Sequence, residues 1–243
     1  FQNQQSFRGA GEPRSVRGQQ IMSMLTFHRR LGVLMLAVLC TIVASGQIRI
    51  GVHGGVNLSD VTEPPNYHRA GTWEMRTYGF GGIVADFQFA PHWQLATEVN
   101  VIQKGIRIPL VGWGLSYPGT VTLKANYYEV PLKIRYRSGG DPFGWYVEGG
   151  PSLAIVESGW AHMVTEHLAG LPQIDQTDYI GGMYRTFQPS LMAGVGAEYK
   201  LTSLLTAVLS ASYTYGISDV YDDFWADTNS RDGACCLGLL FTL

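Results

Sequence analysis

The chain has 243 residues, and only 15% of them are charged, against roughly 25% in an ordinary soluble domain. It is rich in glycine and in aromatic residues, with 30 Gly, 13 Tyr and 6 Trp. A mean hydropathy of +0.03 excludes both a disordered chain and a bundle of membrane-spanning helices. The formal net charge of −2 excludes the basic surface that binds nucleic acid, so we predict no nucleic-acid partner.

The amino-terminal part has the pattern of an export signal. Residues 1–21 are of mixed polarity without periodicity, and we interpret them as a non-structural upstream segment. A basic group at 28–30 is followed by an apolar run over 31–43 and then by small residues. This order is typical of a secretory signal peptide, and the run is shorter than the ~20 apolar residues that span a bilayer. We therefore predict a signal peptide over 22–46 and one mature domain over 47–243.

The mature region alternates polar and apolar residues with the period of two that is typical of β-strands. Eight strands are predicted, at 48–58, 77–89, 93–104, 127–137, 143–156, 187–200, 204–217 and 232–243. The connections alternate in length, being short at 90–92, 138–142 and 201–203 and long at about 59–76, 105–120, 157–186 and 218–231. Short periplasmic turns and long extracellular loops are typical of a transmembrane barrel, whereas a soluble β-sandwich needs no such alternation.

Charged residues near the strand centres fall on the parity opposite to the bulky apolar residues. They are Arg49, Asp86, Glu98, Glu129, Lys133, Arg135, Glu148 and Glu198. The apolar parity has aromatic residues near both strand ends, namely Trp93, Tyr136, Trp145 and Tyr199 at one end and Tyr128, Phe187, Tyr213 and Tyr215 at the other. Two aromatic girdles around an aliphatic band are the signature of a transmembrane barrel. We therefore predict an all-β fold, an eight-stranded antiparallel up-and-down transmembrane β-barrel in the bacterial outer membrane.

The charged parity of such a barrel faces its interior, which in an eight-stranded barrel is just wide enough for side chains to fill. Buried charges are tolerated when they are paired and hydrogen-bonded. We expect the eight charged residues to form an ion-pair network that plugs the lumen. A narrow path for protons or ions and catalysis by the carboxylates are the alternatives.

The long connections are the predicted place for binding, because binding sites concentrate on loops that a rigid scaffold holds. Candidates in the third and fourth of them are Trp160, Tyr179, Tyr184, Asp222, Asp223 and Trp225. The acidic residues lack the ordered spacing of a calcium loop, and His162 and His167 lack the spacing of a zinc site, so we predict no metal and no cofactor. Cys235 and Cys236 point to opposite faces of one strand, so we expect no disulfide between them.

The sequence resembles the small PorT-like outer-membrane β-barrel family of Bacteroidetes. The resemblance is carried by the segments GVHGGVNLSD (51–60), GFGGIVADFQFAPHWQLATEVNVIQKG (79–105), YYEVPLKIRYR (127–137), GWYVEGGPSLAIV (144–156) and MAGVGAEYK (192–200). It spans nearly the whole mature region, but it is a pattern of glycines and alternation. The resemblance therefore implies an eight-stranded outer-membrane barrel and says little about activity.

No catalytic signature stands out in these segments. We predict a non-enzymatic, structural or binding protein that contacts outer-membrane lipid or lipopolysaccharide, and as a second partner another envelope protein, through its loops or its wall. An outer-membrane lipid-modifying enzyme, with His53 as its candidate base, and a narrow channel are the alternatives.

Overall fold

The structure, a computed structural model, describes residues 47–62, 73–110, 119–165, 173–222 and 228–243. The strands are β1 (Gln47–Val61), β2 (Glu74–Ala90), β3 (Trp93–Pro109), β4 (Gly119–Gly139), β5 (Phe143–Thr165), β6 (Asp175–Tyr179), β7 (Phe187–Lys200), β8 (Leu205–Asp219) and β9 (Asn229–Thr242). A short 3-10 helix, Gly181–Met183, precedes β7. Within the described residues, no helix has the length and the apolar character needed to cross a membrane. The predicted segments 1–21 and 22–46 lie outside the described residues.

Eight of the strands form a closed ring of antiparallel pairs. β1 to β5 pair in chain order, β7 to β9 do the same, β5 pairs with β7, and β1 pairs with β9 to join the two ends of the sheet. Among the described strands of the ring, closure leaves no unpaired edge in the hydrocarbon, as a β-structure in a bilayer requires. The short β6 lies outside the ring and pairs with β5 at 160–164. The structure thus confirms the predicted eight-stranded up-and-down barrel.

Seven strands extend further than predicted towards the long connections, four of them by two or three residues and β3, β4 and β5 by five or more. β3 runs to Pro109, β4 begins at Gly119, and β5 runs to Thr165. The predicted loops 105–120 and 157–186 are therefore wrong in part, because much of each belongs to a strand. The three short turns lie where they were predicted, at the opposite end of the ring.

The polarity of β3 and β4 reverses in these extensions, although the period of two continues. Ile106, Ile108 and Leu123 point into the ring and are buried, while Arg107 and Lys124 lie on its outside. An apolar interior with a polar exterior is the arrangement that a sheet adopts in water. We infer that the extensions stand beyond the bilayer. The reversed polarity also explains why the predicted β3 and β4 are shorter than the observed strands.

The outer wall between the turns and the extensions is apolar. Val52, Ile134 and Leu209 are each more than half exposed in the isolated chain. All eight predicted girdle residues lie on the outward parity of this wall: Trp93, Tyr128, Tyr136, Trp145, Phe187, Tyr199, Tyr213 and Tyr215. So large an exposed apolar surface requires a cover, and acyl chains supply it in a membrane.

The aromatic residues of the wall form a group at each end. Near the turns, the ring of Tyr136 packs against Trp93 and Trp145, with centroids 5.2 and 6.3 Å apart. At the other end, Tyr128 and Phe187 lie in one row, because both pair with the same position of β5. The aliphatic band therefore lies between the two aromatic groups.

Candidate functional site

Charged side chains from neighbouring strands meet inside the ring. Nearest the turns, Arg49 lies between Asp86 and Glu198, with nitrogen-to-oxygen distances of 2.8 Å to each. Arg135 lies 2.8 Å from the same Asp86 and 2.9 Å from Glu148. Strand register creates these contacts, because Arg49 is paired with Asp86 across β1 and β2, and Arg135 with Glu148 across β4 and β5.

Lys133 continues the network towards the middle of the barrel. Its ammonium group contacts Glu98 and lies 2.9 Å from Glu148. The other carboxylate oxygen of Glu98 accepts a hydrogen bond from the side-chain amide of Asn100, 3.0 Å long. Lys133 is therefore shared between two acids, and one of these acids also holds a neutral polar residue in place.

A further group of charges, closer to the long connections, is centred on Lys104. Its nitrogen lies 2.7 Å from Glu129 and 2.8 Å from Asp232. Lys104 and Asp232 were not among the predicted lumen residues, and neither was Arg137, which lies 2.8 Å from Glu198 at the turn end. Lys104 could have been found, because it shares the charged parity of its strand. Asp232 stands at the first position of its predicted strand, where the pattern does not yet define a face.

All eight predicted lumen residues are buried inside the ring, and each has an oppositely charged group within 4.0 Å. They are Arg49, Asp86, Glu98, Glu129, Lys133, Arg135, Glu148 and Glu198. Two cavities between these side chains measure about 30 and 20 Å³. A single water molecule needs roughly 10–15 Å³ measured in this way, so each cavity holds about one or two waters. The interior is packed with ion pairs and has space for isolated waters.

An apolar cluster closes the end of the ring that faces the long connections. Tyr184, just before β7, packs on Tyr221, just after β8, with ring centroids 5.1 Å apart. The backbone N–H of Arg185 donates to the carbonyl of Val220 over 2.9 Å, which ties the two connections together. Burial raises the pKa of both tyrosines above the ordinary value, so both hydroxyls stay neutral. Apolar residues of β3 and β4 that point into the ring belong to the same cluster.

The six predicted loop-binding residues separate into four groups. Trp160 and Tyr179 pack edge to face on the hairpin of β5 and β6, with centroids 6.2 Å apart, and Tyr179 is 67% exposed. Tyr184 is only 5% exposed, so its prediction as a partner-binding residue is wrong; its ring is used to close the mouth. Asp222 forms an exposed ion pair with Arg185, 3.3 Å long. The predicted residues Asp223 and Trp225 lie outside the described residues.

The chain resembles known proteins both in sequence and in fold. The family model of the outer membrane protein beta-barrel domain matches residues 29–222. No curated protein matches the chain. Outer membrane protein OprG from Pseudomonas aeruginosa is similar in structure, with a TM-score of 0.50 at 12% identity over 81% of this chain and 96% of its own.

Two further solved structures are similar at lower scores. Neisserial surface protein A has a TM-score of 0.44 at 13% identity over 80% of this chain and 96% of its own. The outer membrane protease OmpT from Escherichia coli has a TM-score of 0.37 at 9% identity over 81% of this chain and 97% of its own. With its closed ring, apolar wall and matching family model, the chain belongs to the outer membrane protein beta-barrel domain family and is located in the bacterial outer membrane.

Proposed function

We propose that this protein is a non-enzymatic outer-membrane barrel that acts through its outer surface while its lumen stays closed. The filled interior carries this proposal, because three cavities that the described residues form beside the ion pairs measure only about 30, 20 and 10 Å³. A hydrated ion does not fit into spaces that hold about one or two waters. The buried carboxylates are enclosed behind the wall, where they do not meet a lipid substrate.

The hairpin of β5 and β6 is the part of the outer surface best suited to contact another envelope protein. It continues β5 beyond the ring, and it presents Trp160 and Tyr179 together. Aromatic residues are enriched where proteins bind one another, because they bury a large area with few rotatable bonds. The apolar wall, with its two aromatic groups, serves as the contact for outer-membrane lipid and lipopolysaccharide.

We also propose that the chain is a PorT-like barrel of Bacteroidetes. Support comes from the glycine-rich strand segments quoted above, above all 51–60 and 79–105. This finer assignment adds no activity to the proposal.

The closed lumen is tested by ion flux. Protein reconstituted into lipid vesicles is expected to give no ion efflux above that of protein-free vesicles, provided that its insertion is verified by resistance to protease. Sustained conductance in planar bilayers would contradict the closed lumen and favour the narrow channel.

A separate cross-linking experiment tests the hairpin as a contact surface. Tagged protein is cross-linked in native outer membranes and purified, and we expect one envelope protein to be captured by the unmodified chain. Replacing Trp160 and Tyr179 together by serine should abolish this capture, whereas Gln176→Ser on the same hairpin should leave it intact. Equal capture by all three proteins would show that the hairpin is not the contact surface.

A further inference from the structure

A thiol lies beside a histidine in the middle of the lumen, and the proposed function uses neither of them. Cys236 on β9 points into the ring, with its sulfur 3.7 Å from Nδ1 of His53 on β1. The hydroxyl of Ser210 on β8 lies 2.8 Å from the same sulfur. Three strands thus bring a nucleophile, a base and a hydrogen-bonding hydroxyl together.

The proton of the histidine is placed by its neighbours. Glu98 pairs with Lys133, so its carboxylate is ionised and accepts hydrogen bonds. One of these comes from the amide nitrogen of Asn100, which turns the amide oxygen towards Nε2 of His53 at 2.6 Å. That oxygen accepts a hydrogen bond, so Nε2 carries the proton. Nδ1 then keeps its lone pair, and this lone pair faces the thiol of Cys236.

The same order of groups activates cysteine nucleophiles elsewhere: a thiol, a base that takes its proton, and a third group that orients the base. Here Cys236, His53 and Asn100 take these three places. Ser210 supplies a hydroxyl that can donate to the sulfur once it is ionised. The arrangement follows from the positions of these side chains inside the closed barrel.

The space around the thiol limits what can reach it. The cavities of about 30 and 20 Å³ are both lined by His53, Glu98, Ser210 and Cys236. Each holds about one or two water-sized molecules, so a peptide thiol or a lipid does not enter. Hydrogen peroxide has only two heavy atoms, and the larger cavity accommodates it.

We propose that Cys236 is a thiol that His53 activates for oxidation by hydrogen peroxide. The thiol proton passes to Nδ1 of His53, and the thiolate attacks one peroxide oxygen. An S–O bond forms as the O–O bond breaks, and the leaving hydroxide takes the proton back from His53 as water. Sulfur loses two electrons and peroxide gains them, so the products are a sulfenic acid on Cys236 and one water molecule.

Cys235 provides a matched comparison within the same strand. It is the neighbouring residue, but its side chain is on the outer wall, where it lines an apolar depression with Leu209 and Ala211. The described lining of this depression contains no basic side chain that could take the proton of the Cys235 thiol. Two single substitutions, C235S and C236S, therefore separate the activated thiol from the lipid-facing one.

The test uses the full-length protein in lipid vesicles at pH 7. Peroxide is added and removed by catalase, the protein is unfolded in the presence of dimedone, and the label on the peptide after Arg231 is quantified by mass spectrometry. Because a free cysteine is only a few per cent thiolate at pH 7, activation is expected to make Cys236 in C235S react about tenfold or more faster than Cys235 in C236S. The bulkier tert-butyl hydroperoxide should not label Cys236 in the folded barrel.

The role of His53 is tested in the C235S background. Adding His53→Gln should slow oxidation about tenfold at pH 7, and the difference should shrink to about twofold at pH 10, where a thiol ionises without a base beside it. A merely structural role for His53 would not give this pH dependence. His92→Gln, at the exposed turn, should change nothing.

Three results would overturn the proposal: equal rates for the two cysteines, an unchanged rate in His53→Gln at pH 7, or labelling by tert-butyl hydroperoxide as fast as by hydrogen peroxide. If His53→Gln fails to fold, the C235S protein still decides the matter. Its Cys236 must react about tenfold faster folded than unfolded in urea at pH 7, and an equal or slower rate contradicts the activation.

Discussion

Replacing Lys104 by methionine is expected to lower the free energy of unfolding by about 3–5 kcal/mol. The ammonium group lies 2.7 Å from Glu129 and 2.8 Å from Asp232, and both carboxylates are 3% exposed. Methionine fills similar space without the charge, so two acids remain buried beside each other without this cation. Urea unfolding in lipid vesicles, followed by tryptophan fluorescence, measures the loss.

Two variants make this prediction specific. Adding Glu129→Gln and Asp232→Asn to Lys104→Met removes the uncompensated charges and should restore most of the lost stability. Arg107→Met is the matched control, because Arg107 forms an exposed pair with Glu74 at 3.8 Å, and exposed pairs contribute about 0–1 kcal/mol. A loss in Lys104→Met no larger than in Arg107→Met would contradict the account of the lumen.

Replacing Gly55 by valine is expected to prevent closure of the barrel. Gly55 is paired with Cys236 at the seam where β1 meets β9. A Cβ atom at this position would overlap the carbonyl oxygen of Cys235 and lie 2.7 Å from the Cα of Cys236. Both obstacles are backbone atoms, which cannot rotate away, and overpacking of this kind costs about 1–3 kcal/mol or more.

The folded fraction of Gly55→Val should therefore fall about tenfold or more, as judged by the gel mobility of unheated samples. Gly54→Val is the control, because the same side chain is added one residue away. Its Cβ would have its nearest neighbour, the carbonyl oxygen of Phe80, at 3.3 Å. Equal folding of the two variants would show that the close approach at the seam is not required.

The sequence pattern predicts the wall and most of the lumen because both depend on a period of two. Once Glu129, Lys133 and Arg135 share a parity, a closed ring must bury them together. Which charges meet is not predictable in the same way. Lys104 and Asp232 are 128 positions apart, and their contact depends on the strand stagger around the ring.

The end of the ring that faces the long connections was the least predictable part, for a different reason. Tyr184 and the exposed Tyr179 are both tyrosines of the predicted loop 157–186. Tyr184 nevertheless packs against Tyr221, where the apolar cluster closes the end of the ring. Composition cannot distinguish a loop that folds into the ring from one that stands away from it. The polarity reversal at Ile106 and Leu123 was visible in the sequence and could have marked the level at which the bilayer ends.

The sheet has one orientation in the membrane, with its apolar flank against acyl chains and its charged flank enclosed. Spin labels on single cysteines along the outward face of β4, in a C235S/C236S background, test it directly. At Val130, Leu132 and Ile134, collisions with oxygen should exceed those with a water-soluble nickel complex, and at Thr122 and Lys124 the order should be reversed. High accessibility to the nickel complex at all five positions would contradict the account.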